Sequence, residues 1–207
     1  MLVTSYDAFD QYHQQHAAPW ERVALLRARP VFSWPATAAD PIGALPPLLE
    51  EITYARPVDE AALRRELLRM RGRIERERAG DPRGGVHLRF SAGGLTDLEF
   101  LAAWGQLRAG AGDPGLRTSS PYRAIERLVA RGEADRALPH DYRTLEQTLL
   151  RLRLLRDRTD DRLLPEERPA LARSLETTDD ALARDLDARR ARIRAAFATT
   201  LGDPAAG

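Results

Sequence analysis

Apolar residues return every three or four positions through most of this chain, and runs in which β-branched residues alternate with polar ones are nearly absent. A period near 3.6 marks helices with one buried face, whereas a half-buried strand needs a period of two. The spacing therefore predicts an all-α protein, a helical bundle of about seven to nine helices. With 207 residues, 43% hydrophobic and 30% charged, the chain has the length and balance of one folded globular domain.

Start and stop signals divide it. Ser5 opens a first helix to about His16, and Pro19 opens a second carrying Trp20, Val23, Ala24 and Arg27. Residues 32–41 read as a loop, after which Asp40 and Pro41 start a helix ending near Tyr54. Asp59 caps a long helix with Leu63, Leu67, Met70 and Ile74 on one stripe and Arg and Glu on its other face. Gly80, Asp81, Pro82, Gly84 and Gly85 break that helix, and Val86–Phe90 reads as a short extended piece. Thr96 and Glu99 have the spacing of a capping box for a helix to about Ala109, with Leu98, Leu101 and Trp104 facing inward. Ser120-Pro121 starts the next helix and Gly132 follows its end. Leu145, Leu149, Leu152 and Leu155 form another stripe, and a last helix runs from about Asp179 to Leu201 with Leu182, Leu186, Ile193 and Phe197 buried. One helical domain over 1–207 is expected, residues 1–79 forming an N-terminal arm and 86–207 the main bundle.

Every basic residue is arginine, and 32 of them nearly cancel 31 acidic residues. Duplex binding needs an excess of positive charge, so nucleic acid is not expected as a partner. Without lysine there is no Schiff base and no lysine-bearing phosphate loop; without cysteine there is no thiolate nucleophile and no cysteine-ligated zinc. His13 and His16 share a helix face but lack a third ligand in local spacing, so no metal site is expected. No run approaches the ~18 apolar residues of a membrane span and no signal peptide is visible, which points to the cytoplasm.

Three segments say more than this. Trp20-Glu21-Arg22-Val23-Ala24-Leu25-Leu26-Arg27-Ala28-Arg29-Pro30-Val31 resembles the Trp-Glu, Ala-Leu, Ala-Arg-x-Val segment of the bifunctional glutamine synthetase adenylyltransferase/adenylyl-removing enzymes. Met70-Arg71 with Arg73-Ile74 resembles that family's Met-Arg helix, and Gly93-Gly94-Leu95-Thr96-Asp97-Leu98-Glu99-Phe100 its Gly-Gly-Ile-x-Asp-Ile-Glu-Phe signature. Further matches at Phe9, Tyr12, Leu116-Arg117 and Leu163-Leu164-Pro165 keep the order. Ala103, Arg89 and Phe32-Ser33-Trp34 depart from the pattern.

The resemblance implies a helical domain that follows a nucleotidyltransferase domain, and Asp97 tilts it toward the C-terminal, adenylylating module. The family's catalytic segment pairs a Gly-Ser turn with Asp-x-Asp, two carboxylates that hold metal ions. This sequence has no such segment; Asp160-Asp161 and Asp179-Asp180 are adjacent pairs without the turn. No catalytic residue is therefore expected here. ATP and magnesium are implied for a neighbouring domain, with glutamine synthetase as target and a PII signal protein acting through the whole enzyme. The alternatives are a non-catalytic module that docks glutamine synthetase or another protein, and a helical domain of the related PII uridylyltransferases, which the Trp20–Val31 segment opposes.

Candidate site residues follow from the matched segments. Asp97 and Glu99 either pair with an arginine that fixes an interdomain angle or serve as favourable charges at a helix start. Gly93 and Gly94 either bring backbone close to a phosphate or make a tight turn. Trp20 and Glu21 are expected at a helix start, with Trp20 in the core. Arg27 and Arg29 suit a phosphate or carboxylate across a domain junction.

Overall fold

A computed structural model describes residues 4–31, 41–80, 84–156 and 160–204. Its helices are α1 (Tyr6–Gln15), α2 (Pro19–Leu25), α3 (Pro41–Glu50), α4 (Glu60–Ile74), α5 (Leu95–Ala109), α6 (Pro121–Ala130), α7 (Leu138–Arg156), α8 (Arg168–Ser174) and α9 (Asp179–Leu201). The expected all-α bundle is what forms. Single residues set the starts: Ser5, Asp59, Ser120 and Thr178 each accept the backbone N–H three positions on, closing donors that a helix leaves open at its first turn. Gly132 takes φ +74 just past α6, a backbone state that only glycine adopts without strain. Asp40 and most of the 32–41 loop lie outside the described residues.

Helix α5 is the centre of the bundle. From Leu95 to Leu107 every residue but Glu99 is buried, because α4, α6, α7 and α9 all pack on it. A helix apolar on every side is what such a position requires. Gly105 permits the closest of these approaches, since a Cβ there would stand 2.6 Å from the Leu128 side chain of α6. Leu63 and Leu67 of α4, Leu145, Leu149 and Leu152 of α7, and Ile193 and Phe197 of α9 complete the same core. Leu155 does not join them and is half exposed. At 100° per residue it lies about 80° from Leu145 around the helix, off the buried stripe.

Helices α3 and α4 each end in one wide turn, Glu51–Ala55 and Glu75–Ala79, with i to i+5 bonding. The carbonyls left open there are gathered by a distant arginine. Arg22 donates to the oxygens of Thr53, Arg56 and Pro57 at 2.7, 2.9 and 3.0 Å. Arg162 donates to those of Ala79, Arg78 and Gly80 at 2.8, 3.3 and 3.3 Å.

The extended piece expected at Val86–Phe90 is shorter, a two-residue strand β1 (Val86–His87) antiparallel to β2 (Arg162–Leu163). His87 is buried beside it, and its Nδ1 accepts the Phe90 N–H at 3.2 Å. Burial, then the Arg162 charge, lowers its pKa despite Asp161 and Asp160. As pH falls below the ordinary value near 6.5, the unfolded chain takes up the proton first, so stability present above that pH is lost through the folded pKa. His87→Gln should therefore flatten the fall of melting temperature between about pH 7 and 5. An unchanged slope would remove His87 from the account.

Candidate functional site

The Gly93-Gly94 turn and the first residues of α5 form around a buried charge. Gly93 has φ +73, and a Cβ on it would lie 2.0 Å from the Arg190 carbonyl oxygen of α9. A Cβ on Gly94 would lie 2.6 Å from the carbonyl oxygen of Arg89. Both glycines are needed for close backbone approach within this chain. The N–H groups of Leu95 and Thr96 are taken by the carbonyls of Leu88 and Arg89 at 3.1 and 3.0 Å. The expected capping box is therefore absent: Gly94 is the N-cap without a side-chain bond, and strand-end carbonyls do the work assigned to Thr96 and Glu99.

Asp97 is fully buried. One carboxylate oxygen accepts the Gly93 N–H at 2.8 Å, and the other accepts from Arg71 Nε. Arg194 approaches it at 3.5 Å. Arg71 has no exposed surface; it also donates to the Ser91 carbonyl at 3.1 Å and faces Glu75 at 3.2 Å. A paired, hydrogen-bonded ion is the form in which charge is tolerated inside a core. Helices α4, α5 and α9 are thus joined through one carboxylate. Arg71, which the sequence places among the Arg and Glu of the polar face of α4, is in the structure a buried ion. It follows Leu67 by four, which places it on the buried stripe.

Glu99 points the other way, into a partly buried chain of charges. It accepts from Arg89 Nη1 at 2.8 Å and meets Arg27 at 3.6 Å. Arg89 Nε reaches Asp161 at 3.3 Å, and Asp161 also holds Arg153 Nε at 2.7 Å. Burial works against the Arg89 charge, but Glu99 and Asp161 together hold its pKa above the ordinary guanidinium value. Nearby, burial raises the pKa of the Glu146 carboxyl, and the charge of Glu99 adds to it.

Beside this chain of charges lies a groove of about 330 Å³ between α2, α4 and α5, lined by Trp20 and Val23, Met70 and Ile74, and Phe100 and Ala103, with Arg27 and Glu99 supplying charge. Trp20 is 41% exposed and is not in the core as expected. Helix α2 has only two turns and packs on α4 and the Glu51–Ala55 turn, which leaves the indole uncovered. The structure therefore brings Trp20, Arg27 and Glu99 together, and sets Asp97, Gly93 and Gly94 in the buried anchor behind them. Glu21 stands apart, accepting the Ala18 N–H at 2.9 Å and the Tyr12 hydroxyl at 3.0 Å. Arg29 lines a separate depression with Tyr54 and Arg117. A larger cleft, about 680 Å³ between α4, α5, α6 and α9, contains none of these residues.

The remaining acidic pairs are engaged locally. Asp160 accepts the Arg162 N–H at 3.1 Å, and Asp179 holds Arg168 at 2.5 and 2.9 Å. Asp185 and Asp187 on α9 pair with Arg189 and Arg190 of the same helix at 2.8 and 3.5 Å. No helix among the described residues is long and apolar enough to cross a membrane.

A family model described as GlnD PII-uridylyltransferase matches residues 61–201, and one described as Glutamate-ammonia ligase adenylyltransferase matches residues 1–41. The bifunctional glutamine synthetase adenylyltransferase/adenylyl-removing enzyme of Xanthomonas axonopodis pv. citri is 35% identical over 207 residues, covering 97% of this chain and 21% of the relative. Its counterpart in Leifsonia xyli subsp. xyli is 37% identical over 134 residues, 63% of this chain and 12% of the relative. That of Vibrio parahaemolyticus is 33% identical over 141 residues, 67% and 14%. The chain thus spans about a fifth or less of the length of the curated relatives it matches.

Proposed function

The chain belongs to the glutamine synthetase adenylyltransferase family, and from that premise we propose that it is the helical partner domain of an enzyme transferring AMP from ATP to glutamine synthetase. One observation carries the reading. Both carboxylates of the signature are engaged within the chain, while Trp20 and Arg27 stand exposed around an apolar groove on the signature helix. An exposed tryptophan with an arginine at an apolar surface is the composition of a binding hot spot. The groove seats a nucleotidyltransferase domain, which holds ATP and magnesium. The helical domain sets the angle of that domain toward glutamine synthetase, and a PII protein acts through the whole cytoplasmic enzyme.

Placing this chain in the Xanthomonas axonopodis pv. citri relative, in exchange for the segment it matches, tests the proposal. The chimera should label glutamine synthetase with AMP, while the chain alone should not. Trp20→Ala should lower transfer by the chimera at least about tenfold, the size of a hot-spot loss near 1.4 kcal/mol, and should shift the melting temperature of the isolated chain by less than about 4 °C because the indole is 41% exposed. A folded chimera without transfer, or transfer by the chain alone, would refute the partner-domain reading.

A further inference from the structure

The outer side of α4 and of the wide turn that ends it carries Arg65, Arg69 and Arg76 at i, i+4 and i+11, one helical stripe. Gly72, at i+7, occupies the remaining position on it. The Gly202–Pro204 turn closes over that glycine: a Cβ there would lie 3.0 Å from the Pro204 carbonyl oxygen and 3.3 Å from Arg76 Nη1. Between helix and turn lies a groove of about 490 Å³, lined by seven residues of which three are these arginines and one, Asp203, is acidic. Asp203 faces Arg194 at 3.3 Å. Arg69 is held by Glu66 through two bonds of 3.0 and 2.7 Å. With Arg69 met by Glu66 and Asp203 by Arg194, the groove's net positive charge rests on Arg65 and Arg76, and the C-terminal end of α9 contributes about half a negative charge, too little to offset two guanidiniums.

We propose that this groove binds the oligophosphate group of a small molecule, with Arg65 and Arg76 as its principal contacts. The volume is that of a small-ligand site, and planar guanidinium forks take phosphate oxygens two at a time. Arg65 and Arg76 have Cα atoms about 16 Å apart along the helix, so their long side chains close on the groove from both ends. A single anion meets one of them, whereas linked phosphates meet both. The turn walls one side of the groove, which favours a compact ligand over an acidic protein segment laid along the helix.

Isothermal titration of the full chain with inorganic tripolyphosphate, with sulfate and a hexaglutamate peptide as comparators, tests this without reference to AMP transfer. Saturable one-to-one binding is expected, at least tenfold tighter than for either comparator. The double variant Arg65→Ala/Arg76→Ala should weaken it at least tenfold with an unchanged melting temperature, and Arg65→Lys/Arg76→Lys should fall between. The proposal fails if tripolyphosphate shows no saturable binding, if the double alanine variant binds as well as the parent, or if sulfate matches it. A hexaglutamate affinity equal to that of tripolyphosphate also overturns it, in favour of an acidic protein partner.

Discussion

Asp97→Asn is expected to lower stability by about 3–5 kcal/mol, the usual effect of removing one partner of a buried ion pair. Asparagine keeps the shape and its one oxygen can still accept the Gly93 N–H, but its NH2 then faces the Arg71 Nε–H donor, so the substitution removes both the charge and the bond to Arg71. Arg71 then remains without exposed surface, with Glu75 at 3.2 Å as its nearest carboxylate and a neutral carbonyl at Ser91. For a domain of this size the loss corresponds to a fall in melting temperature on the order of 10 °C. A double-mutant cycle with Arg71→Met sharpens the test. Each single change leaves a buried charge with only its secondary partner, Glu75 for Arg71 or Arg194 for Asp97, whereas the double change removes both buried charges, so it should cost less than the sum of the two. A shift below about 2 °C for Asp97→Asn would show that the pair does not anchor the turn.

Gly93→Ala should be at least as damaging, for a different reason. The residue has φ +73, which alone costs a non-glycine residue about 1–2 kcal/mol. Its Cβ would also stand 2.0 Å from the carbonyl oxygen of Arg190, a backbone atom in the middle of α9. A helix whose Ile193 and Phe197 fill the core cannot retreat without opening voids. A total loss above about 4 kcal/mol, or failure to accumulate as folded protein, is expected. Gly132→Ala separates the two causes, because Gly132 has φ +74 with nothing within 4 Å of its Cβ. Circular dichroism melts of both variants should show a small loss for Gly132→Ala and a large one for Gly93→Ala. Equal losses would mean that backbone strain, and not contact with α9, governs the signature turn.

What the sequence reveals about this fold depends on how local the deciding interaction is. Asp59, Ser120 and the bounds of α9 are readable because a cap acts across three residues and a stripe repeats along its own helix. The resemblance at Gly93–Phe100 marked the region where the buried anchor lies. The capping box at Thr96 and Glu99 fails because α5 takes its first hydrogen bonds from Leu88 and Arg89, whose turn is held by pairing with residues some 75 positions later. Arg71 passes for a surface charge because its partner Asp97 is 26 residues away. Trp20 looks like core because burial of an aromatic residue is the common outcome, and nothing in α2 announces how little covers it. The groove itself joins three separate segments and has no signature in any one of them.

The two arginine clamps bear on the order in which the molecule is completed. Arg22 precedes the carbonyls it gathers by 31 to 35 residues, so the end of α3 has its partner waiting when that helix leaves the ribosome. Arg162 follows the end of α4 by 82 to 84 residues. At ordinary rates of synthesis that interval is on the order of ten seconds, during which the last carbonyls of α4 depend on water. Folding of the nascent chain is therefore expected to proceed with α4 frayed at its C-terminal end and to lock only when β2 emerges.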